Sequence, residues 1–525
     1  MTTQSGAGIG ADARFDPPRA YTPEVRPPGA PQTSEPADVV ALPAFAWRWV
    51  APVAAALAIL MLATSGRYGY EGDELYFLGA GAHPAWSYAD NPPLMPWLAA
   101  TLNSLSGGSL VALRVPSALM AAGTALMIAL IAREFGGRSR AQLMAALAWA
   151  VTPLTMFAGH TLSASTVDIL AWNTVVWVLV AWCRRRDDRL LVIAVAASAV
   201  AMQAKYSIVF LWVAVAVTAL AAGPRRLLGR PVLLIGGVVV VASLVPGLLW
   251  QAAHGWPQLA MTRVIAAEGD GPIGFLATFV YFGGVLLVVL MAVGLWSLLR
   301  SPEYSRYRFL GWIVVLLFVL FLVQDAPSRY LAGLFGLLWA VGAVRLQDKG
   351  GARWWRWTVS WPVFAVIAVI SVFGHLPVLP GTQAIPTPGA PNNPQAAETV
   401  GWPELVAATR VAFDIVDPSQ RPHTVIIAQY YTSAGALDLL GPTAGLPRVY
   451  STHRGYWYFG PPPDDTTTTL YVGTDPTAML ALYTDVREVS RSAPGRSTTA
   501  GTPVYVCTGA RQHWSTIWPA LGHLL

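Results

Sequence analysis

The carboxylates Asp73, Glu74 and Asp90 fall, with Glu71, within one connection, EGDELYFLGAGAHPAWSYADNPPLMPW (71–97), which follows directly on a long apolar run. Carboxylates held beside hydrocarbon are costly and usually functional. Such groups serve as general bases, or as hard oxygen ligands for a divalent cation. The bland alternative is that Asp73 caps a helix and Glu74 complements its dipole, but capping accounts for one acid, not three. Other polar positions interrupt the apolar sequence: Lys205-Tyr206-Ser207, Arg329-Tyr330 just after Gln324-Asp325, and His254-Gly255-Trp256-Pro257. Cations facing acids at one membrane boundary are what a phosphate-bearing lipid needs. Taken singly, Lys205 and Arg329 would merely snorkel, and His254 would hydrogen-bond a turn.

The elements that must position these residues are membrane helices. The chain is 54% hydrophobic and 12% charged, whereas roughly a quarter of a soluble domain is charged. This composition excludes an ordinary soluble protein and implies a polytopic α-helical membrane protein. Apolar runs long enough to cross roughly 30 Å of hydrocarbon are read at about 45–64, 110–132, 141–158, 165–183, 189–204, 207–222, 232–250, 275–299, 309–324, 329–346 and 358–378, eleven in all. Alternating them groups the connections 133–140, 184–189, 223–231, 300–308 and 345–357, which hold 17 Arg or Lys, on one side. The other connections hold Arg67, Lys205 and Arg263, with Arg329 just inside a helix. The positive-inside rule then puts the N-terminus in the cytoplasm, and the carboxylate loop (65–109) and everything after Pro380 outside a multi-pass plasma-membrane protein.

Within the loop, Gly72 to Phe77 would start an interfacial helix with Leu75, Phe77, Leu78 and Ala82 on its apolar side. Pro92-Pro93 would open a second. Such a pair brings Asp73 or Glu74 near Asp90 at the mouth of the bundle. Residues 1–43, with eight prolines and no apolar run, read as a disordered cytoplasmic tail. The first apolar segment begins near Phe45, too deep for a secretory signal. Residues 44–379 form the transmembrane domain and 380–525 a small extracytoplasmic α/β domain, tethered by a Pro-rich stretch (376–394). In that domain, 423–429, 469–474 and 503–509 read as strands, and 434–440 and 477–483 as short helices. Cys183 and Cys507 are expected on opposite sides, with no disulfide.

The stretch GDELYFLGAGAHPAWSYADNPPLMPWLA (72–99) resembles the first outer loop of the family 39-like, C-type integral-membrane glycosyltransferases, related to protein O-mannosyltransferases and aminoarabinose transferases. Its acidic pair, aromatics and Tyr-x-Asp-x-Pro-Pro-Leu come in the family's order. Similar too are AKYS (204–207), with Ala204 where Asn is usual, LLWQAAHGWP (248–257), YYTSAGALDLLG (430–441) and VYSTHRGYWYFGP (449–461); PSRYLAGLFG (327–336) follows its counterpart more loosely. The resemblance runs from about residue 45 to the C-terminus.

It implies an inverting enzyme that moves a sugar from a polyprenyl-phosphate donor to a glycan, lipid or protein acceptor of the cell envelope, with membrane lipid as surroundings and no nucleic acid. Asp73 would be the general base by its place in the motif, with Glu74 and Asp90 beside it. Lys205, Tyr206 and Arg329 would hold the donor phosphate. Glu74, Asp90 and His254 would hold a divalent metal, Mg or Mn. Tyr456, Trp457 and Tyr458 offer flat faces for an acceptor sugar, or else form a domain core. The rival readings are a transporter or lipid flippase, which would show broken helices and mid-bilayer charges, and a non-catalytic glycolipid-binding relative. Which sugar moves is open between mannose and a pentose such as arabinose.

Overall fold

The structure, a computed structural model, describes residues 42–267, 269, 271–379 and 394–524. The expected tail lies outside these residues save for its last two, and so does most of the expected tether.

All eleven apolar segments are helical. Trp47–Thr64, Leu110–Glu134, Ala164–Arg185, Arg189–Ala204, Ile208–Ala222, Pro231–Ala253 and Arg308–Val323 lie close to their expected bounds. The others begin late or break for identifiable reasons. Pro153, which cannot donate a backbone hydrogen bond, splits one segment into Ser139–Ala150 and Pro153–His160, bent by 64°. A Gly-Gly step, with Gly284 at φ 73°, splits another into Gly271–Phe282 and Val288–Arg300. Ala332–Lys349 starts after a short 3-10 turn, Ser328–Leu331, that contains Arg329, and Trp361–His375 starts at its proline. Among the described residues six helices are long and apolar enough to cross a membrane, or up to eight if each bent pair is one span. The expected eleven therefore describes helical segments rather than established crossings. Pro231–Ala253 is the least covered of the long helices and presents Leu234, Ile235, Val238 and Leu249 outward, as a lipid-facing helix does.

The connections cluster at the two ends as their charges suggest. At the arginine-rich end, buried Glu134 takes both Arg184, at 2.9 Å, and Arg185, Arg230 pairs with Asp188 at 3.3 Å, and Lys349 pairs with Glu303. Arg133 holds the Pro43 carbonyl at 2.8 Å. The opposite end carries the carboxylate loop and the C-terminal sheet. There the loop forms two helices, Gly72–Gly81 and Leu94–Ser106. The first is not a one-sided interfacial helix: Leu75 through Ala80 are buried all round, since the helix lies between the bundle and the sheet domain. Gly435, on the helix Tyr431–Leu440, crosses it so closely that an added Cβ would meet the Leu75 carbonyl carbon at 2.9 Å.

The sheet has the order β2-β1-β3-β5-β4, with β1 (Thr424–Ala428), β2 (Val449–Tyr450) and β3 (Thr468–Val472) parallel, and β4 (Tyr483–Arg491) and β5 (Pro503–Ala510) joined antiparallel. β1 and β3 are buried at every residue, which is why their VIIA and LYV segments show no polar alternation. The edge strand β4 is half exposed and carries Arg487, Glu488 and Arg491. Its charges suit an edge and hid it as a strand. The helices Trp402–Ile415 and Trp514–Leu521 complete the layer. Both cysteines are free and buried.

Candidate functional site

Two adjacent acids in the Gly72–Gly81 helix meet different surroundings. Glu71, not Asp73, caps the helix: its carboxylate accepts from the Asp73 amide at 2.9 Å, and Glu74 Oε2 accepts in return from the Glu71 amide at 2.9 Å. Glu74 is fully buried and bound bidentately by Arg114, at 2.9 Å from Nε and 2.7 Å from Nη2, and the Leu162 amide donates to it at 2.8 Å. The same guanidinium reaches the carbonyls of Ser65 at 2.6 Å and Gly69 at 2.9 Å. The expectation that Glu74 does chemistry or ligates a metal is thus corrected. Its lone pairs are committed to a knot joining the first helix, the loop and the bundle.

Asp73, by contrast, is exposed, and its Oδ1 accepts a hydrogen bond from the hydroxyl of Tyr431 at 2.9 Å. Asp90 accepts one from Tyr76 at 2.6 Å. The rings of Tyr76 and Tyr431 pack edge to face at 5.1 Å, so the two carboxylate–phenol pairs share an aromatic base. Burial pushes the phenols of Tyr76 and Tyr431 well above their ordinary range, which keeps them protonated as donors. Burial also raises the Asp90 carboxyl, and Asp73 raises it further, while the Tyr76 hydrogen bond and the nearby Arg454 charge oppose the rise. Glu71 and Glu398 are likewise raised, by burial first and by Asp73 second. The accessible Asp73 therefore stands among carboxyls that hold their protons more tightly than usual.

Lys205 and Arg329 come together on one aromatic platform. The Lys205 ammonium sits 4.1 Å from the ring centre of Tyr330, and the Arg329 guanidinium 5.9 Å from it. Lys205 is also within electrostatic reach of Asp168, whose carboxylate accepts from the Trp172 indole at 3.0 Å. Tyr206 points elsewhere. Its neighbours are Ser87 and Gln258, in a polar knot where Gln251 and Gln258 clasp the Tyr88 carbonyl at 2.9 and 3.1 Å and tie the loop to the bundle.

The expected metal set does not assemble. Glu74 is spent on Arg114, and exposed His254 stacks on Trp250 at 4.0 Å with its Nδ1 at the Trp250 carbonyl. Among the described residues no three His, Cys, Asp or Glu converge on a point where an ion could sit. Two of the three aromatics expected at the acceptor site are structural instead. Tyr456 is 3% exposed and wedged against Gly79, and Trp457 exchanges hydrogen bonds with Trp518, indole to carbonyl in both directions, at 2.8 and 3.0 Å. Tyr458 lines a cavity of about 360 Å³ together with His83, Trp250, His254 and Phe459, and Tyr456 and Trp457 do not line this one. Asp73 does not line it; Tyr88 and Ala89, just before Asp90, do.

Arg114 and Asp168 went unremarked in the sequence although each is a lone charge in an apolar helix, the mark of a buried partner. Tyr431 and Tyr76 carried no comparable mark.

A family model described as dolichyl-phosphate-mannose-protein mannosyltransferase matches residues 90–250, a span that holds Asp90, Asp168 and Lys205 and stops short of Asp73, His254 and Arg329. No curated protein sequence matches the chain. Among solved structures, ArnT from Cupriavidus metallidurans bound to undecaprenyl phosphate aligns over 91% of this chain and 100% of that one, with 16% identity and a TM-score of 0.59. Its apo form aligns over 92% and 100%, with 15% identity and a TM-score of 0.60. The fold is that of the C-type integral-membrane glycosyltransferases.

Proposed function

We propose that this multi-pass membrane protein, built on the C-type glycosyltransferase fold, is an inverting glycosyltransferase that takes a sugar from a polyprenyl-phosphate donor. The acceptor is a cell-envelope glycan, lipid or protein on the outer face of the plasma membrane. One observation carries the reading: Asp73 is exposed and oriented by a protonated phenol, while its neighbour Glu74 is sealed into the scaffold. In the reaction an acceptor hydroxyl attacks the anomeric carbon, its proton passes to Asp73, and the bond from that carbon to the phosphate oxygen breaks. General-base assistance of this kind contributes roughly 10²–10⁴ in rate. The leaving phosphate is already a weak base, so cations rather than an acid stabilise it; Lys205 and Arg329, flanking Tyr330, are the groups for this. Asp90 lies beside this pair, held by Tyr76, whose ring packs on that of Tyr431. No step is assigned to a metal, because the residues expected to hold one are engaged elsewhere. The matched family's description and the undecaprenyl phosphate bound to the solved ArnT both support a lipid-phosphate carrier.

The test is transfer of radiolabelled sugar by purified full-length protein, with mannosyl- and arabinosyl-phosphopolyprenols offered separately. The expected result is transfer from one of them and its loss in Asp73→Asn. Full transfer by a folded Asp73→Asn protein would remove Asp73 as the base. Uptake or flipping that survives this substitution, with no transfer by the wild type, would favour a transporter.

A further inference from the structure

The cavity beside the carboxylate loop has a chemistry of its own. Two imidazole–aromatic stacks meet there: His83 lies flat on Phe459 at 4.4 Å and 7°, and His254 on Trp250 at 4.0 Å and 17°. Tyr458 sits between them and the helix end, 5.7 Å from Trp250 and 5.8 Å from His254. Among the described residues no carboxylate, lysine or arginine lines the space. Burial lowers the His83 imidazole below its ordinary value, so it is neutral at physiological pH. His254 commits Nδ1 to a carbonyl and leaves Nε2 for another partner.

These features select among ligands. A phosphate meets no cation among the described lining residues, and the nearby Arg448 is accompanied by Asp438. A polyprenyl chain would want a continuous apolar wall, and imidazoles and a phenol interrupt this one. A hydroxylated ring suits both halves of the lining, its C–H face against the aromatics and its hydroxyls toward ring nitrogens and the phenol. At about 360 Å³ the cavity falls at the small end of ligand sites, which run from roughly 300 to 1,000 Å³. It also abuts the chemistry. Gly455, in its wall, packs directly on the Tyr76 hydroxyl that donates to Asp90. Trp250 ends the lipid-facing helix Pro231–Ala253, so an occupant would sit where membrane and sheet domain meet.

We infer that this cleft binds a neutral sugar ring of the acceptor, gripped by Trp250 and Tyr458 and hydrogen-bonded by His83 and His254. As an acceptor subsite the cleft rests on the transferase reading, but its capacity to bind sugar does not. The experiment uses full-length protein in nanodiscs, with neutral manno-, gluco- and arabino-trisaccharides as probes in saturation-transfer NMR and undecaprenyl phosphate as a separate arm. Wild type is expected to bind at least one trisaccharide. Trp250→Ala and Tyr458→Ala should each weaken that binding about threefold to tenfold, as loss of a stacking face does. Trp250→Phe and Tyr458→Phe, which keep a ring, should restore most of it and show that folding is intact. In the transfer assay the alanine variants should raise the acceptor KM while kcat changes less than twofold. Asp73→Asn should bind the trisaccharide as wild type does and transfer roughly 10²–10⁴ times more slowly. Absence of trisaccharide binding by wild type, or equal binding by the alanine variants, overturns the inference. So does a loss confined to undecaprenyl phosphate, which would give the cleft to the carrier. Wild-type binding that falls in Trp250→Ala, without transfer under any condition, would sink the transferase reading and leave the sugar cleft standing.

Discussion

On the bundle side of the Gly72–Gly81 helix, Glu74 is fully buried and accepts four hydrogen bonds, two of them from Arg114. On the side toward the sheet domain, one residue earlier, Asp73 is exposed and accepts from the neutral phenol of Tyr431. The same chemical group is saturated in one place and partly satisfied in the other. A carboxylate whose lone pairs all meet fixed donors has no affinity left for a proton in flight. One that meets a single neutral donor is oriented and keeps lone pairs free for another partner. An acidic pair in a membrane loop therefore divides its labour, the deeper member fixing the helix so that the shallower one is placed.

The sharpest way to break this contrast is to neutralise each acid's side in turn. Asp73→Asn should lower kcat by roughly 10²–10⁴ with little change in melting temperature, measured by radiolabelled transfer and thermal unfolding in detergent. Arg114→Ala should do the reverse. Leaving Glu74 buried and unpaired costs about 3–5 kcal/mol, seen as a lower unfolding midpoint and poor yield. If Arg114→Ala were as stable as wild type, or if Asp73→Asn unfolded the protein, the assignment of roles would be inverted.

A smaller effect sharpens the picture of the oriented base. Tyr431→Phe keeps the ring against Tyr76 and removes the bond to Asp73. A net contribution of ~1 kcal/mol for one such bond corresponds to a roughly fivefold fall in kcat, read from initial rates at saturating donor. An unchanged kcat would mean that Asp73 is placed by its helix alone.

The contrast was half visible in the sequence. The motif 72–99 singled out Asp73, Glu74 and Asp90 together, and apolar runs located the long apolar helices, because hydrophobic length is a local property. What separates Glu74 from Asp73 is not local. Arg114 lies 40 positions from Glu74, and Tyr431 lies 358 from Asp73, in a different layer of the fold. The same limit explains the aromatics: Tyr456, Trp457 and Tyr458 look alike in sequence, and only packing against Gly79 and Trp518 separates two core residues from the one that faces a cavity. Edge strand β4 was missed for a physical reason as well, since its charges answer to solvent exposure rather than to a buried face.

The gentlest test concerns Asp90, which stands between the two extremes. Burial and Asp73 raise its pKa above the ordinary 3.8, and the Tyr76 hydrogen bond holds it down. If ionised Asp90 supports the base at Asp73, activity falls as pH drops through the Asp90 pKa, so the acid limb of the rate profile lies above the ordinary aspartate range. Tyr76→Phe removes one influence that lowers this pKa, and the limb should move to higher pH, with little change on the plateau. The sign is the informative part. A limb that moved to lower pH would mean that Tyr76 had been stabilising the protonated acid. A limb that stayed fixed would mean that Asp90 does not titrate with activity, and that Asp73 acts without its help.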